Sequence, residues 1–587
     1  MLPSRHLPGR RPMLAPSNML SPRRRVRARA LLFSIGMAAA LPAQQAGTPR
    51  IERPRLVVLC AVDQLATWVF EQAEPHFAAD GGFRRLLREG AYFPACAFRH
   101  ACTETGPGHA TIGTGAPARA HGIVRNAWWS ENDNRVVYCV EDLVAPLPEW
   151  PEGKVRGPGK LLVPTLASSL KAHVPGSKAV SVAWKDRGAI LMGGIDADLC
   201  VWCEASTGNF VTNTAWAEKA PAWLLAFNQQ RPLDTMFGTV WERIGPEAAY
   251  AGLVDDRPYE IPHANGRSQR TLPQPITGGD TGPGAKFYAQ AYASPLGNTA
   301  VRLLAEAAIR GEGLGGDEVP DLLCVGFSAT DAMGHAFGPD SVEARDGLLR
   351  LDRDLATFFA FLDQQVGAGR WSLFLTADHG VGPTPEWART QGVDAGRGLI
   401  QTMVRAAGEK ALLDAFGPAP EGKRYLAHVG EYSCYFDDAV LRGVAAANGR
   451  DEATVRRQAA ALVANAAQKV RGMATAIPND ELAQPNVTGD RLRASLMDSL
   501  CPGRAGDVQL VLKPYWIDGT NAATHGSPHA YDREVVGLAF GPGVPAGVRF
   551  AAPITPGFGA VLFARLLGIP VPTAAVDELP AGLLGTR

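Results

Sequence analysis

Arg55-Leu-Val-Val-Leu-Cys-Ala-Val62 is a short apolar run, rich in valine, that stops on an acid, Asp63. Two later runs behave the same way. Asp321-Leu-Leu-Cys-Val-Gly-Phe-Ser328 leads into Asp331, and Trp371-Ser-Leu-Phe-Leu-Thr-Ala377 leads into Asp378-His379. Continuous rather than alternating apolar runs suit strands covered on both faces, as in a parallel sheet. Helix-period segments between them, Asn298 to Ile309 and Glu343 to Phe361, suit crossover connections. The chain is therefore predicted to be α/β, with a mostly parallel central sheet flanked by helices. Such sheets bind ligands beyond the carboxyl ends of their strands, so three acids just past three strand ends should converge.

The 587 residues exceed the usual single-domain length, and the 64 glycines and 45 prolines spread between apolar runs point to many loops. Two stretches break the strand-helix alternation and read as inserted cap segments on a catalytic body of residues 50–587. One covers about 199–295, opening with two short strands around Thr207-Gly208; the other covers about 400–500 and is Ala-rich and helical. Residues 1–43 hold eight arginines and no acid, then the apolar stretch Ala30 to Ala40 and Leu41-Pro42-Ala43. That order of basic, apolar and small residues is expected to be a signal peptide, giving an exported, periplasmic or secreted protein. The formal net charge of the chain is zero, and without those arginines 50 basic residues face 58 acidic ones, a net of −8. Nothing in that balance favours nucleic acid, and no later segment is apolar enough for a stable membrane span. The nine cysteines cannot all pair, though one or two disulfides are compatible with export; Cys60 and Cys324 read as small buried hydrophobes.

Chemistry is concentrated in a few short motifs. In Asp331-Ala-Met-Gly-His335 the carboxylate and imidazole are four residues apart, so on a helical turn they share a face and can hold one ion. Asp378-His379-Gly380 sits at a strand end, His525 lies in Thr524-His525-Gly526-Ser527, and Asp63 supplies a third carboxylate. Three Asp and three His suffice for two ions with three protein ligands each, every ion keeping an open position for substrate. Thr103-Glu-Thr105-Gly-Pro-Gly-His-Ala110 places Thr105 at a predicted helix N-terminus, where free N–H groups attract an anion. A nearby metal would lower its hydroxyl pKa and make it a nucleophile; Thr103 is the competing hydroxyl, and a plain N-cap is the structural alternative. His109 and His121 are expected to pack or hydrogen-bond near the nucleophile, with His529 the best spare ligand.

Asp63, Thr105-Gly-Pro-Gly-His109, His121-Gly-Ile-Val-Arg-Asn126, Asp331-x3-His335, Asp378-His379-Gly380 and Thr524-His525-Gly-Ser527 occur in this order. The set resembles the threonine-nucleophile branch of the alkaline phosphatase superfamily, which holds nucleotide pyrophosphatase/phosphodiesterases and PafA-type alkaline phosphatases. The resemblance covers about residues 50–545. It implies an alkaline-phosphatase-like core, two zinc ions per chain, and hydrolysis through a phosphothreonine at Thr105, which would also touch zinc. By the same resemblance Asp331, His335 and His525 would hold one zinc, and Asp63, Asp378 and His379 the other. In the similar monoesterases, a Lys and an Arg in a motif matching Ala183-Trp-Lys185-Asp-Arg187 contact the phosphoryl oxygens together with the residue matching Asn126.

Lys185 and Arg187, two apart in what reads as an extended segment, should point the same way and grip an anion together. A monoester dianion concentrates more charge on its non-bridging oxygens than a diester, so this pair favours phosphate monoesters as small-molecule substrates. A phosphodiesterase or nucleotide pyrophosphatase on the same scaffold is the alternative. A sulfatase is disfavoured because no Cys/Ser-x-Pro-x-Arg motif is present. A non-enzymatic metal- or phosphate-binding surface protein would leave Thr105 without a purpose.

Overall fold

The computed structural model describes residues 52–260, 270–484 and 489–584; the expected signal peptide at 1–43 lies outside them. Nine strands form the central sheet: β1 (Leu56–Val62), β2 (Ala91–Tyr92), β3 (Ala179–Ala183), β4 (Leu199–Glu204), β5 (Asn209–Val211), β6 (Asp321–Phe327), β7 (Trp371–Thr376), β8 (Leu538–Phe540) and β9 (Val548–Arg549). Their spatial order is β9-β2-β8-β7-β1-β6-β3-β4-β5. The middle five, β7 through β4, run parallel. β8 and β5 run antiparallel to the strands they flank. Every residue of β1, β6 and β7 is buried, which is why these strands are apolar without alternation.

Register does the next piece of work. β1 pairs with β7 from Leu56 opposite Trp371 to Ala61 opposite Thr376. Carried two residues further, that register sets Asp63 level with Asp378. On its other side Val62 pairs with Phe327, so the chain leaving β6 reaches Asp331 at the same end of the sheet. The site helices follow: α1 (Thr105–Thr114), α2 (Asp186–Gly193), α3 (Pro295–Glu312), α4 (Ala329–Phe337) and α5 (Val342–Leu362). α3 and α5 contain the two helical segments expected from sequence. α5 starts at Ser341, whose hydroxyl accepts the Ala344 N–H (3.0 Å), and buries Leu348, Leu351, Leu355, Phe358 and Leu362 along one stripe.

The two stretches expected as insertions behave differently. The one from about 199 opens with β4 and β5, joined at Thr207-Gly208 with Gly208 at φ +70°, and these strands belong to the central sheet. Most of 400–500 goes into a separate four-stranded antiparallel sheet, in the order Leu426–Val429, Ser433–Phe436, Val508–Leu512, Met473–Pro478. Helices Ile400–Phe416 and Glu452–Ala467 cover it, and Val404, Leu412, Val455, Val463 and Leu510 form its apolar core. All nine cysteines are buried and unpaired, so the disulfides their number allowed are not formed.

α1 is glycine-rich because it must lie against backbone. A Cβ on Gly108 would stand 1.9 Å from the Asp378 carbonyl oxygen, and one on Gly113 would stand 2.7 Å from the carbonyls of Leu191 and Met192 in α2. No rotamer relieves a clash with main chain. Gly108→Ala is therefore expected to destabilise the fold by about 1–3 kcal/mol or more, read as a lower urea midpoint than wild type.

Candidate active site

Three strand ends and three helix starts meet here. Asp63 follows β1 directly, Asp378 and His379 follow β7, and Asp331 occupies the first turn of α4 with His335 in its last. His525 arrives on the loop before β8. The ligand atoms of Asp331, His335 and His525 lie within 4.8 Å of one another, and so do those of Asp63, Asp378 and His379. The second group is fully buried; His335 in the first is a quarter exposed, so that group faces the mouth of the site.

Hydrogen bonds fix which imidazole nitrogens face the centre. The Nδ1 atoms of His335, His525 and His379 donate to the carbonyls of Ala523 (2.8 Å), Thr103 (2.7 Å) and Gly380 (3.0 Å). In the neutral rings each Nε2 then presents its lone pair to the centre, where it can take a metal or a second proton. The Nε2 atoms of His525 and His335 stand 3.2 Å apart, at 3.4 and 3.1 Å from the same Asp331 Oδ1. His379 Nε2 lies 3.3 Å from Asp63 Oδ1 and 3.4 Å from Asp378 Oδ2, and none of these three buried atoms makes a well-formed hydrogen bond. Carboxylates gathered on a neutral imidazole are costly unless a cation, a proton or a metal, sits among them. The donor sets, two carboxylates with one imidazole and one carboxylate with two, fit a divalent metal in each group.

Charge balance follows from the crowding. Burial and then the Asp378 carboxylate push Asp63 above the usual carboxylate range. Burial opposes charge on His379, but Asp378 and Asp63 outweigh it and raise the imidazole to about 9. Burial and the charge of His379 lower His525 to about 4, so this imidazole is neutral and able to ligate.

Thr105 opens α1 and is buried. Its Oγ1 accepts from Lys185 Nζ at 3.1 Å and from an Arg187 Nη at 3.4 Å. Lys185 also reaches Asp63 Oδ2 (2.6 Å) and Asp331 Oδ2 (2.7 Å), one carboxylate from each group. Asn126 accepts the Gly106 N–H on Oδ1 (2.7 Å), which leaves its NH₂ to donate elsewhere. The expectation of an extended Lys185–Arg187 segment is corrected: Lys185 caps α2 and Arg187 lies in that helix's first turn. The two heads still meet at Thr105, because the helix start turns both inward.

Other expectations separate cleanly. Thr103 is tied up, its hydroxyl donating to Ser527 (2.9 Å) and its carbonyl holding His525. His529 Nε2 bonds the Leu512 carbonyl (2.9 Å) and stays out of both groups. His121 bonds Thr111 and the Ile123 N–H. His109 approaches Asp378 Oδ2 at 3.2 Å while bonding the Thr105 carbonyl. The sequence reading missed Gln64, Tyr138 and Tyr432. Gln64, at φ +67°, donates its backbone N–H to Asp378 (3.1 Å) and its side-chain amide to Asp331 (2.7 Å), bridging the two groups. Tyr432, from the separate sheet, donates to the carbonyl of His525 (2.9 Å), and the Arg125 guanidinium lies over its ring. Neither residue carries a sequence signal beyond, for Gln64, its place beside Asp63.

A mostly parallel sheet carrying two Asp/His donor groups at its carboxyl end, with a helix-borne threonine between cations, defines a metal-dependent hydrolase of the alkaline phosphatase superfamily. The profile of the type I phosphodiesterase / nucleotide pyrophosphatase family matches residues 57–532, and the chain belongs to that family as a PafA-like member. Alkaline phosphatase PhoV of Synechococcus elongatus is 30% identical over 91% of this chain and 94% of its own. Alkaline phosphatase PafA of Elizabethkingia meningoseptica is 29% identical over 88% and 92%. A Myroides odoratus protein named calcium-transporting ATPase is 32% identical over 85% and 89%. The crystal structure of wild-type PafA superimposes with a TM-score of 0.81 at 28% identity, covering 91% of this chain and all of that one. A second PafA structure, at 27% identity and the same TM-score and coverage, is of a variant changed at a threonine, an asparagine, a lysine and an arginine. Among the described residues no helix is long and apolar enough to cross a membrane.

Gln64 ties together one carboxylate of each donor group, so Gln64→Ala is expected to weaken metal retention by about 10- to 100-fold. Competition against a chromogenic chelator measures this without assaying turnover.

Proposed function

We propose that the protein is a zinc-dependent phosphomonoesterase that works through a phosphothreonine at Thr105. The observation that carries this reading is the Thr105 hydroxyl, held by Lys185 at 3.1 Å and Arg187 at 3.4 Å beside two Asp/His groups. The four residue types changed together in the PafA variant occur here in the same order as Thr105, Asn126, Lys185 and Arg187, which supports the assignment.

Asp331, His335 and His525 would hold one zinc, and Asp63, Asp378 and His379 the other. Bound there, the two ions would supply Lewis acidity at the attacking and leaving oxygens. Thr105 Oγ1, at the first position of α1, gives up its proton to solvent and attacks phosphorus in line as the bond to the alcohol oxygen breaks and that alcohol leaves with a proton. Water then cleaves the phosphothreonine, releasing phosphate and restoring the hydroxyl. The Asn126 NH₂, the Lys185 ammonium and the Arg187 guanidinium bind the non-bridging oxygens and stabilise the charge they carry in the transition state. Lys185 stays protonated: burial opposes its charge, but Asp331 and Asp63 outweigh it and push its pKa further up. The basic, apolar and small residues of 1–43 support export, which cell fractionation of the full-length chain checks.

Purified protein is expected to carry about two zinc per chain. Thr105→Ala should keep both ions while turnover falls on the order of a thousandfold or more, whereas Thr103→Ala should do much less to the chemistry. A large loss from Thr103→Ala with a mild one from Thr105→Ala would move the nucleophile.

A phosphodiesterase is the second reading, favoured by the name of the matching family. Lys185→Ala/Arg187→Ala should lower kcat/KM for a monoester about a thousandfold, several kcal/mol, and lower it far less for a diester with the same leaving group. An equal fall in both activities, or a wild-type preference for the diester, would favour that second reading.

A further inference from the structure

Of the two cations at Thr105, Lys185 is ion-paired with carboxylates and Arg187 is not: its nearest acid, Asp186, takes its backbone N–H and stands behind the Tyr138 hydroxyl. Lys185 sits 2.6 and 2.7 Å from Asp63 and Asp331. Among the described residues no carboxylate forms an ion pair with the Arg187 guanidinium; one Nη reaches Thr105 Oγ1 and the other reaches a neutral phenol, Tyr138 Oη, at 2.9 Å. The guanidinium Nε has no partner. Tyr138 ends the short strand Arg135–Tyr138, far from α2 in sequence and touching it in space.

The direction of each bond in this contact is fixed. Asp186 can only accept, and it takes the Tyr138 O–H on Oδ1 (2.7 Å), the Arg187 backbone N–H on the same oxygen (2.7 Å) and Arg156 Nε on Oδ2 (2.8 Å). With its proton committed to Asp186, the Tyr138 oxygen presents lone pairs alone toward Arg187. The Arg156 guanidinium lies over the Tyr138 ring, 4.7 Å from its centroid, and holds the ring in place. Arg187 is thus aimed by a group that bears no charge. A carboxylate in the same position would orient the guanidinium equally well and cancel the charge meant for the substrate.

We infer that Tyr138 is a positioning residue: it holds Arg187 against the phosphoryl site through a neutral acceptor in place of a direct ion pair, leaving more of the cationic charge to a dianionic substrate and so setting the preference for monoesters. This rests on the phosphoryl-binding role of Arg187 given above. The selectivity of the site then depends on an uncharged hydroxyl that makes no contact with substrate, in addition to the cations that do.

The test is Tyr138→Phe, which removes one oxygen and keeps the ring under Arg156, compared with Arg187→Ala and with the double variant. Each protein is assayed on a monoester and a diester sharing one leaving group. Both activities come from one preparation, so incomplete folding scales them alike and leaves their ratio unchanged. Tyr138→Phe should lower monoester kcat/KM about tenfold, the scale of a hydrogen bond to a charged group, leave the diester within about twofold, and add nothing once Arg187 is gone. A Tyr138→Phe ratio equal to wild type, an equal fall on both substrates, or full additivity with Arg187→Ala overturns the inference. If Arg187→Ala itself leaves the ratio unchanged, the phosphoryl-binding role of Arg187 fails first.

Discussion

Three buried carboxylates at one end of a parallel sheet are the constraint around which the rest of the site is arranged. The β7-β1-β6 register delivers Asp63, Asp378 and Asp331 to the same place. Like charges about 4 Å apart repel by roughly 4 kcal/mol at the dielectric typical near protein surfaces, and burial adds to that cost. Compensation comes from several directions at once. Lys185 stands between Asp63 and Asp331, His379 carries charge against Asp378 and Asp63, and Gln64 donates to Asp331 and Asp378. The two Asp/His groups are arranged as divalent ions would need to complete what these charges begin, with the Nε2 atoms of His335, His525 and His379 turned toward the centre.

The same constraint separates the roles of the two cations beside Thr105. Lys185 is bound up with the carboxylate framework, so its charge serves the protein before it serves a substrate. Arg187 stands outside the framework, on the side of the hairpin that carries Tyr138. An incoming phosphate therefore meets one cation already compensated and one whose charge is still available. That difference is invisible in a Lys-x-Arg motif, where both residues simply count as positive.

Much of the candidate site was legible because its Asp and His residues come from local patterns. An apolar run that stops on an acid reports a strand end, and Asp331 and His335 report one turn of helix. Thr105 was readable through the helix-start grammar of Gly-Pro-Gly. The Lys185–Arg187 segment was misread as extended, because an apolar strand (β3) leads into it and α2 begins with no capping side chain to announce it. Gln64, Tyr138 and Tyr432 were missed for a different reason. Their roles exist only through contacts between residues distant in sequence, and a lone Gln or Tyr carries no periodicity. The β4-β5 hairpin was set apart from the sheet because short strands at a sheet edge look, in sequence, like any hairpin.

Tyr432 gives the separate sheet a purpose beyond covering the site. Its hydroxyl holds the His525 carbonyl, and Gly526, at φ +111°, has no room for a Cβ because that atom would lie 2.6 Å from the Tyr432 ring. The turn joining strands Leu426–Val429 and Ser433–Phe436 is thus a splint for the His525 loop, whereas helices Ile400–Phe416 and Glu452–Ala467 cover their own sheet, with Gln401 of the first also bonding Asp518. The turn and the loop therefore make one inheritable unit: a graft of the His525 loop has to carry its splint with it.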